Sequence, residues 1–598
     1  MTTSLATQRG QGSTTGTTDP APRRTTWQGV ATVLLCAVPV LFVMAVGWRQ
    51  RWVSDDGWIN LRVVDQFFAG NGLVFSAGER VEVTTSTLWL WLLIAGQAVT
   101  RGPEYGLVAV VLGVVLSGFG VAVGLDAARR AWRFAFGGDP GTRHWVLLPI
   151  GAIGFVALPP VWDFVTSGLE TGLIFAWLGG CWWLLVRILE RRPAGPVPLR
   201  HVVAPAVVIG LGPLIRPDLA LVAGCFGLAL LLVQGWARGR ALLTIGIAAL
   251  LPLGWEVFRA GYYATLVPNT ALAKSAGSSS LARGLDYLAD LVLRYWVIVP
   301  VVLALVAASL LGRRLWRRAG LPGVAVVAAP VVGAVLHAAY VTYVGGDFMH
   351  GRLLLPATMA ILLPGFAAPL ARLRQPVAAL LCASTLAWAA IAALPVRTTY
   401  DVGWDPRTGI ANERAFWWHR AGSSMVTMGD LANLDRAKFG LRVRAEADAG
   451  RRYYWTRGRE LPVADGFDVV VEHGNLGVVG MTAGPAVYLA DPYALADPIG
   501  ARLSGPGAVV SLERRRPGHT ERPPVWRRAR FVAPDPNDEQ ALRDARAALQ
   551  CGELAELQQA LHDPMTPGRF GRNLLLATGF TIMAIPADPT EARMVFCD

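Results

Sequence analysis

The sequence predicts a polytopic α-helical membrane protein that carries a C-terminal domain outside the cytoplasm. Three observations support this fold class. Of the 598 residues, 53% are apolar and only 16% are charged, with a mean hydropathy of +0.41, whereas about a quarter of the residues in soluble domains are charged. Apolar runs long enough to cross a bilayer recur as far as residue 395. From residue 397 onwards the chain is polar, and its apolar runs are short and bounded by turn residues.

The N-terminus combines a polar tail with an apolar run. Residues 1–26 are rich in Thr, Ser, Gly and Gln and predict a disordered cytoplasmic tail. The run at 27–48 is too long for the core of a signal peptide and lacks a convincing cleavage site. We therefore interpret it as an uncleaved membrane anchor.

Apolar runs of spanning length predict about eleven transmembrane helices. They lie near residues 27–48, 105–124, 145–160, 170–188, 201–215, 218–236, 241–258, 291–311, 323–344, 353–371 and 377–395. A further run at 88–100 is ambiguous. If it does not span, four arginine-rich loops face the cytoplasm together with the N-terminal tail, as the positive-inside rule requires. These loops are 126–144, 187–200, 236–241 and 312–319.

The net charge of +13 comes largely from arginine. In a membrane protein such an excess indicates cytoplasmic loops rather than a nucleic-acid partner, and no nucleic-acid motif is present. The same topology places every loop of unusual polar content on the outer face of the cell membrane. Arginines on one face, and carboxylates with His, Tyr and Lys on the other, indicate an extracytoplasmic active site. The outward loops are 49–87, 162–170, 215–218, 258–274 and 345–352, followed by the polar tail.

Residues 397–598 form the predicted outer domain, which is β-rich or α+β. Short apolar runs predict strands, and one long amphipathic run predicts a helix at 538–563. The predicted strands are 467–473, 476–481, 486–491 and a closing strand at 594–597. A basic patch interleaved with Pro and Trp526 is interpreted as a solvated loop in preference to a lipid-headgroup contact. It comprises Arg514–Arg516, Arg522, Arg527, Arg528 and Arg530.

The six cysteines divide unevenly between the two parts of the chain. Four lie in apolar runs, where cysteine usually serves as a small hydrophobic residue. Cys551 and Cys597 lie in the polar C-terminal part. If that part is outside the cytoplasm, they can form a disulfide that closes a long loop.

An acidic stretch, residues 51–87, directly follows the first apolar run. It contains the adjacent carboxylates Asp55 and Asp56. Acidic side chains one turn outside a membrane helix are costly to desolvate and usually mark function, but Ser54-Asp55 is also a suitable helix N-cap. Neighbouring side chains on a helix or strand point in different directions. We therefore expect one carboxylate to face the substrate and the other to orient a loop or bind a cation.

An outward-facing membrane site has no access to nucleotide sugars, so its activated donor must arrive through the bilayer, as polyprenyl-phosphate sugars do. Transfer needs a carboxylate near the anomeric carbon and cations that hold the departing phosphate. The candidate carboxylates are Asp55, Asp56, Glu82, Asp163, Glu170 and Asp347. The candidate cations are Arg216, Lys274, His350 and Arg352, with Arg62 in the acidic stretch. The candidate sugar-binding side chains are Trp58, Tyr262, Tyr263, Asn269 and Thr270.

Several of these candidates have an equally plain structural interpretation. Arg216-Pro217-Asp218 is also compatible with a helix-end turn that holds a local ion pair. Lys274 is also compatible with an interfacial lysine that extends its ammonium towards water. One of Asp163 and Glu170 is expected to serve only as a cap.

Metal binding and transport are the alternatives to a metal-free transferase. His350 beside Asp347 suggests a metal site but supplies only two ligands close in sequence, so no cofactor is certain and a divalent cation is left open.

A transporter of a lipid-linked glycan should carry ionisable residues at mid-membrane depth and often shows repeats. Here the charges gather at one face and no repeat is visible, which favours an enzyme.

Six segments together resemble the GT-C class of membrane glycosyltransferases, and more closely the terminal β-(1→2)-arabinofuranosyltransferases of mycobacterial and corynebacterial cell-wall arabinan. The segments are RWVSDDG (51–57), AGNGLVFSAGERVEVTTST (69–87), DFVTSGLETGL (163–173), RPDLAL (216–221), FRAGYYATLVPNTALAK (258–274) and GGDFMHGRLLL (346–355). ALQC (548–551) and Cys597 also correspond. The sequence departs from the family pattern at Asp218, where the family can have Glu.

The resemblance implies a donor, decaprenyl-phosphoryl-arabinofuranose, and an acceptor, the non-reducing ends of arabinan in arabinogalactan and lipoarabinomannan. It implies that Asp55 and Asp56 are the catalytic carboxylates and that the C-terminal domain is similar to a carbohydrate-binding module. Donor and product are both β-linked, so the implied outcome is net retention through a carboxylate nucleophile or front-face attack. A transferase that uses another polyprenyl-phosphate sugar, such as mannose, is the alternative within the same fold.

Overall fold

The computed structural model describes residues 27–137, 147–192, 197–274, 280–369, 375–393, 405, 407–512 and 519–598. The predicted N-terminal tail and Arg514–Arg516 lie outside the described residues, so these expectations stay predictions.

The membrane part is entirely helical in its regular structure, and the predicted fold class is confirmed. Its helices are α1 (Trp27–Arg49), α2 (Asp55–Phe68), α3 (Thr87–Thr100), α4 (Tyr105–Ala135), α5 (Ile150–Val156), α6 (Pro159–Phe164), α7 (Thr171–Arg191), α8 (Arg200–Gly210), α9 (Gly212–Ile215), α10 (Ala220–Gln234), α11 (Arg238–Tyr263), α12 (Asn269–Ala273), α13 (Leu281–Val292), α14 (Ile298–Ala319), α15 (Leu321–Tyr343), α16 (Leu355–Leu362) and α17 (Gln375–Ala393).

Seven helical segments of the described chain are long and apolar enough to cross a membrane. They are α1, α4, α7, α10 with the turn before it, α11, α14 and α15. The other predicted spans form shorter helices: 201–215 is α8 and α9, 353–371 contains α16, and 377–395 contains α17. The run at 145–160 is divided between α5 and α6, because Pro159 and Pro160 cannot continue a helix. A total of eleven spans therefore stays a prediction.

Helix α3, which covers the ambiguous run at 88–100, has 14 residues. At 1.5 Å per residue such a helix is about 21 Å long, shorter than the roughly 30 Å of a hydrocarbon core. This length agrees with the topology in which the run does not span.

Helices α4 and α7 pack through glycine. A Cβ at Gly120 would collide with the backbone of Phe175, and a Cβ at Gly179 would collide with the carbonyl oxygen of Gly120. Gly113 and Gly172 make the same kind of contact two turns away. Small residues let membrane helices approach closely and gain dispersion energy. The contact positions the N-terminal end of α7, where Glu170 lies.

The C-terminal part is an α+β structure. Its helices are α18 (Glu413–Ala421), α19 (Met428–Leu431), α20 (Asp435–Asp448), α21 (Leu476–Ala483), α22 (Pro524–Phe531), α23 (Gln540–Ala548), α24 (Gly552–His562), α25 (Pro567–Ile582) and α26 (Pro589–Cys597). Its strands are β1 (Tyr453–Thr456), β2 (Arg459–Leu461), β3 (Val469–Glu472), β4 (Tyr488–Ala490), β5 (Leu503–Ser504), β6 (Ser511–Leu512), β7 (Thr520–Glu521) and β8 (Ile585–Pro586).

The main sheet has the order β2-β1-β3-β4. Strand β2 is antiparallel to β1, and the other two pairs are parallel. Strands β3 and β4 confirm the predictions at 467–473 and 486–491. Helix α21 lies between them in the chain and crosses over between the two parallel strands.

Three local predictions for this part are wrong. The run at 476–481 is helix α21, because a short apolar run does not distinguish helix from strand by its periodicity. The single helix at 538–563 is two helices, α23 and α24, separated where Gly552 adopts φ +48°. The closing strand at 594–597 is the end of helix α26, and a disulfide joins its Cys597 to Cys551.

The prediction of a solvated loop is also wrong for Arg522, Arg527 and Arg530 of the basic patch, whereas Arg528 is 37% exposed on helix α22. Arg527 is fully buried and pairs with Glu472 at 3.2 Å, and Arg530 is buried and pairs with Asp497 at 2.8 Å and with Glu79. Arg522 is buried and donates to the backbone oxygen of Ala273. Buried guanidinium groups of this kind need partners to offset their desolvation, so these arginines hold the C-terminal part together and to the membrane part.

The C-terminal part does not pack as an isolated unit. Residues between 410 and 496 share one continuous hydrophobic core with the membrane helices, whereas residues between 499 and 592 form a second core that includes Ala264. The predicted boundary at residue 397 stays a prediction.

The α4–α7 contact generates a test with two neighbouring glycines of α7. Gly179→Ala should destabilise the protein by about 1–3 kcal/mol, because the added methyl group overpacks the contact with Gly120. Gly180→Ala is the matched control, since a Cβ there meets no atom within 4 Å. Thermal unfolding in detergent measures the midpoint of each variant. Equal midpoints for the two variants would show that the contact between Gly179 and Gly120 does not contribute to stability.

Candidate active site

A polar cavity of about 290 Å³ opens where the predicted outward loops meet at one end of the helix bundle. Segments from the acidic stretch, from the loops before α7, α10 and α16, and from α12 all contribute to it, and Leu476 and Leu495 of the C-terminal part close one side. The polar lining consists of Asp56, Asn60, Thr84, Thr85, Ser86, Glu170, Arg216, Asp218, Thr270, Lys274, Arg283, Tyr340, Asp347 and Arg352.

The start of helix α2 decides which acidic side chain reaches this cavity. Ser54 caps the helix, with its hydroxyl accepting from the Gly57 N–H at 2.9 Å and donating to the carbonyl of Ser167 at 2.9 Å. Asp55 and Asp56 occupy the first two helical positions, so their side chains diverge. In this stretch Ser54 is therefore a helix cap, as one interpretation predicts, whereas Asp56 lies in the cavity lining.

Asp55 points away from the cavity into the C-terminal part. Its side chain is 7% exposed, and Oδ1 accepts from the backbone N–H of Val478 at 2.8 Å, in the first turn of α21. Burial raises the pKa of Asp55 from 3.8 to about 7, against the opposing effect of the Val478 and Gly477 N–H groups. The residue therefore caps a helix that lies more than 400 positions later in the chain.

Asp56 is half-buried and lines the cavity. The other carboxylates of the lining each pair with a cation: Glu170 with Arg216 at 2.8 Å, and Asp347 with Arg352 at 2.8 Å. No ion pair within 4 Å involves Asp56 among the described residues. Asp56 is thus the lining carboxylate best able to interact with a reacting group.

Arg216 is the centre of a chain of charged groups along one wall. Its Nη1 donates to Glu170, and its Nε donates to Asp218 at 2.9 Å. The second oxygen of Asp218 lies 2.8 Å from Nε2 of His337, which is fully buried in α15. The predicted local ion pair within Arg216-Pro217-Asp218 is therefore present, and it belongs to the cavity as well.

Another part of the lining offers donors that the protein does not satisfy. In the part of the chain that the structure describes, the buried Nε of Arg352 and the hydroxyl of Thr270 have no hydrogen-bond partner. Lys274 is exposed and takes part in no described ion pair. Buried donors normally find acceptors, so this side of the cavity suits an anionic, oxygen-rich ligand.

Four predicted residues lie outside the cavity lining and join elements instead. Arg62 is fully buried and donates to four backbone oxygens, those of Phe75 (2.8 Å), Val487 (2.7 Å), Gly484 (3.2 Å) and Gly480. Glu82 pairs with Arg259 of α11 at 2.5 Å. Asn269 donates to the carbonyls of Ala494 and Leu495. Asp163 lies 3.9 Å from Arg414.

Three further predicted residues also have packing roles. Tyr263 donates to the backbone oxygen of Leu73 at 2.8 Å, and Tyr262 lies against Gly72 and stacks on Phe258. His350 is buried, with Nε2 at 2.9 Å from the hydroxyl of Tyr295 and Nδ1 hydrogen-bonded to Asp290. None of the three lines the described cavity. A pattern of residue types in loops does not reveal which side chains face inward.

The lining also contains residues that the sequence did not single out as site residues, namely Asn60, Arg283 and Tyr340. His337 supports the lining through Asp218. The sequence position of His337 could have identified it, because an ionisable residue inside an apolar membrane helix is a functional candidate by default. For the other three, only the fold brings them to the cavity.

Metal binding gains no support from the described residues. They contain no group of three or more His, Cys, Asp or Glu side chains placed to hold an ion. The predicted pair His350 and Asp347 is separated in function: His350 contacts Asp290 and Tyr295, whereas Asp347 pairs with Arg352.

The burial of Asp55 generates a pH-dependent prediction. The folded protein binds a proton on the Asp55 carboxyl group more tightly than the unfolded chain does. The stabilisation of the folded state by this proton is therefore full below the unfolded pKa of 3.8 and is lost as the pH rises to about 7. Asp55→Asn retains an oxygen that accepts from Val478 but does not titrate. The thermal midpoint of the native protein relative to this variant should therefore fall between pH 4 and pH 7 and then level off. A constant difference across that range would contradict the assignment.

Comparison with known proteins places these features in context. The family model described as the AftB family C-terminal domain matches residues 435–593. A terminal β-(1→2)-arabinofuranosyltransferase of Corynebacterium glutamicum is 32% identical over 618 positions, which cover 92% of this chain and 86% of the relative. The enzyme of the same name from Mycobacterium tuberculosis is 31% identical over 611 positions, which cover 92% of this chain and 95% of the relative.

Solved structures with a similar chain trace include ArnT from Cupriavidus metallidurans. The form bound to undecaprenyl phosphate has a TM-score of 0.46 and 14% identity, and the match covers 79% of this chain and 87% of that chain. The apo form has a TM-score of 0.46 and 13% identity, with 77% and 86% covered.

Proposed function

We propose a donor, an acceptor and a catalytic carboxylate for this chain, which belongs to the terminal β-(1→2)-arabinofuranosyltransferase family. The protein is a membrane-bound arabinofuranosyltransferase. In our proposal it transfers arabinofuranose from decaprenyl-phosphoryl-arabinofuranose to the non-reducing ends of cell-wall arabinan. The observation that carries the proposal is the cavity itself, in which one free carboxylate, Asp56, faces a set of cations.

The donor phosphate binds on the cationic side of the cavity. Among the described residues, the Nε of Arg352 and the hydroxyl of Thr270 have no hydrogen-bond partner there, and the ammonium of Lys274 takes part in no ion pair. A phosphate with three acceptor oxygens satisfies several such groups at once, and charge-assisted hydrogen bonds stabilise the negative charge that grows as the phosphate departs. Arg216 is held by Glu170 and Asp218, so its role is to shape the wall.

Asp56 acts at the anomeric carbon. During transfer the bond from C1 to the phosphate oxygen breaks, and a bond forms from C1 to the 2-hydroxyl oxygen of the acceptor, whose proton passes to an oxygen of the departed phosphate. Net retention follows if Asp56 carries the sugar between two displacements or stabilises the cation during front-face attack. Both routes need an ionised carboxylate without a fixed ion-pair partner.

The acceptor approaches from the C-terminal part. Leu476 and Leu495 border the cavity, so a glycan held by that part can reach C1 of the donor. In our proposal this end of the bundle is extracytoplasmic. Support comes from the opposite end, where Arg129 and Arg130 pair with Asp126, and Arg130 also pairs with Glu190, in the loops that the positive-inside rule assigns to the cytoplasm.

The decisive experiment measures transfer of labelled arabinofuranose from a synthetic polyprenyl-phosphate donor to a short α-arabinan acceptor. Asp56→Asn should lower the rate by about 10²–10⁴-fold, the usual contribution of a positioned acid–base or nucleophilic carboxylate. Asp55→Asn is the matched control because it keeps the cap of α21, and it should retain most of the activity. Full activity in Asp56→Asn would remove Asp56 from the mechanism. No transfer by the folded native protein, with transfer from a mannosyl donor instead, would overturn the proposed substrate.

The two lysines of the chain test the phosphate site. Lys274→Met should raise the KM for the donor by about tenfold, equivalent to roughly 1.4 kcal/mol of lost binding, with a smaller effect on the KM for the acceptor. Lys438→Met is the control, because Lys438 lies exposed on α20, 3.5 Å from Asp435. If both variants keep the native KM for the donor, Lys274 does not contact the phosphate.

A further inference from the structure

Helix α25 exposes an apolar stripe that is unusual for a domain in water. Leu575 is 84% exposed and Ile582 is 77% exposed. Both lie on the side of α25 opposite to Asn573, Ala577 and Phe580, which are buried. The remaining residues of the stripe are small or weakly polar, since Gly568, Gly571, Thr578 and Gly579 fall on the same face at helical spacing.

Helices α23 and α24 of the same domain differ from α25. The exposed side chains of α23 and α24 are polar and include Arg543, Glu553 and Gln559. Helix α25 contains no Asp or Glu over its 16 residues. Its two arginines lie near its N-terminus, where both pair with Glu556, and Arg572 is exposed beside the stripe. The apolar face of α25 therefore has no counterpart on α23 or α24, whereas α26 exposes Met594 (57%) and Val595 (60%).

Helix α25 packs on a helix of the membrane part whose apolar surface is largely exposed. Helix α25 packs on the last turns of α11: Phe570 fills the space above Gly261, and Asn573 donates to the Gly261 carbonyl at 3.0 Å. Helix α11 is a candidate membrane span with only 11% of its most apolar window buried inside the protein. Val257, one turn before this contact, is 52% exposed. The exposed apolar surface of α11 therefore extends to the turns on which α25 packs.

We propose that α25 lies in the plane of the bilayer interface and anchors the C-terminal part to the membrane. An in-plane helix of this kind buries its apolar face at the boundary between headgroups and acyl chains. Leu575 and Ile582 enter that boundary, and Arg572 contacts lipid phosphates at its edge. The occupant of the stripe is a lipid leaflet rather than another protein, because α25 packs on the last turns of a helix that is long and apolar enough to cross the membrane.

The anchor also connects the leaflet to the cavity. The hydroxyl of Thr581 accepts from the backbone N–H of Leu266 at 2.8 Å and lies 3.2 Å from the hydroxyl of Thr265. This loop leads into α12, which carries Thr270 and precedes Lys274, both in the cavity lining. The depth of α25 in the leaflet thus sets the height of the cavity rim above the lipids.

The test places an environment-sensitive NBD fluorophore on the full-length protein in phosphatidylcholine vesicles. Leu575→Cys and Ile582→Cys carry the label on the stripe, and the protein without an added cysteine corrects for native thiols. Asp465→Cys is the control, because Asp465 is fully exposed in the turn between β2 and β3 of the same part. Lipids with a nitroxide near the headgroup should quench the label at 575 and 582 several-fold more than the label at 465.

Two results would overturn the anchor. Equal quenching at all three positions would show that the stripe faces water. A label at 575 that is shielded from water, as judged by a blue-shifted emission, but is not quenched by the nitroxide lipid would show that protein covers the stripe. Since all three substitutions replace exposed side chains, loss of folding is not expected at any of them.

Discussion

The structure depends on the contact between helices α2 and α21, which lie more than 400 residues apart in the chain. Asp55 accepts from the N-terminal turn of α21, and Arg62 donates to carbonyls at its C-terminal end. A carboxylate at the start of a helix and a cation at its end both complement the helix dipole. The two groups thus satisfy the polar ends of a short buried helix that has no access to water for this purpose.

This contact demands close approach, and glycine permits it. A Cβ at Gly477 would collide with the backbone of Asp55, and a Cβ at Gly480 would press on the side chain of Arg62. Because α2 and α21 are so close, Asp55 is directed into the contact and Asp56 is turned into the cavity. The same contact merges residues 410–496 with the membrane helices in one core, so the C-terminal part is fixed relative to Asp56.

The charges around the cavity divide into a fixed set and a free set. Arg216 pairs with both Glu170 and Asp218 and holds the wall in place, with His337 behind Asp218. Asp56 and Lys274 take part in no described ion pair, and Arg352 keeps one unsatisfied donor. Buried ion pairs add little net stability but impose a defined geometry. The fixed set therefore builds the site, whereas the free set is available to a ligand.

The sequence by itself determined the membrane class, the loops that meet at one end and the acidic stretch that contains Asp56. These features follow from hydropathy, arginine distribution and residue type, which are local properties of the chain. Only the tertiary structure decided that Asp56 rather than Asp55 faces the cavity, that 476–481 is a helix, and that Arg62, Glu82 and His350 join elements instead of lining the site. The physical reason is common to all of these cases: each side chain takes its role from a partner that is remote in sequence, such as Val478 for Asp55, Arg259 for Glu82 or Asp290 for His350.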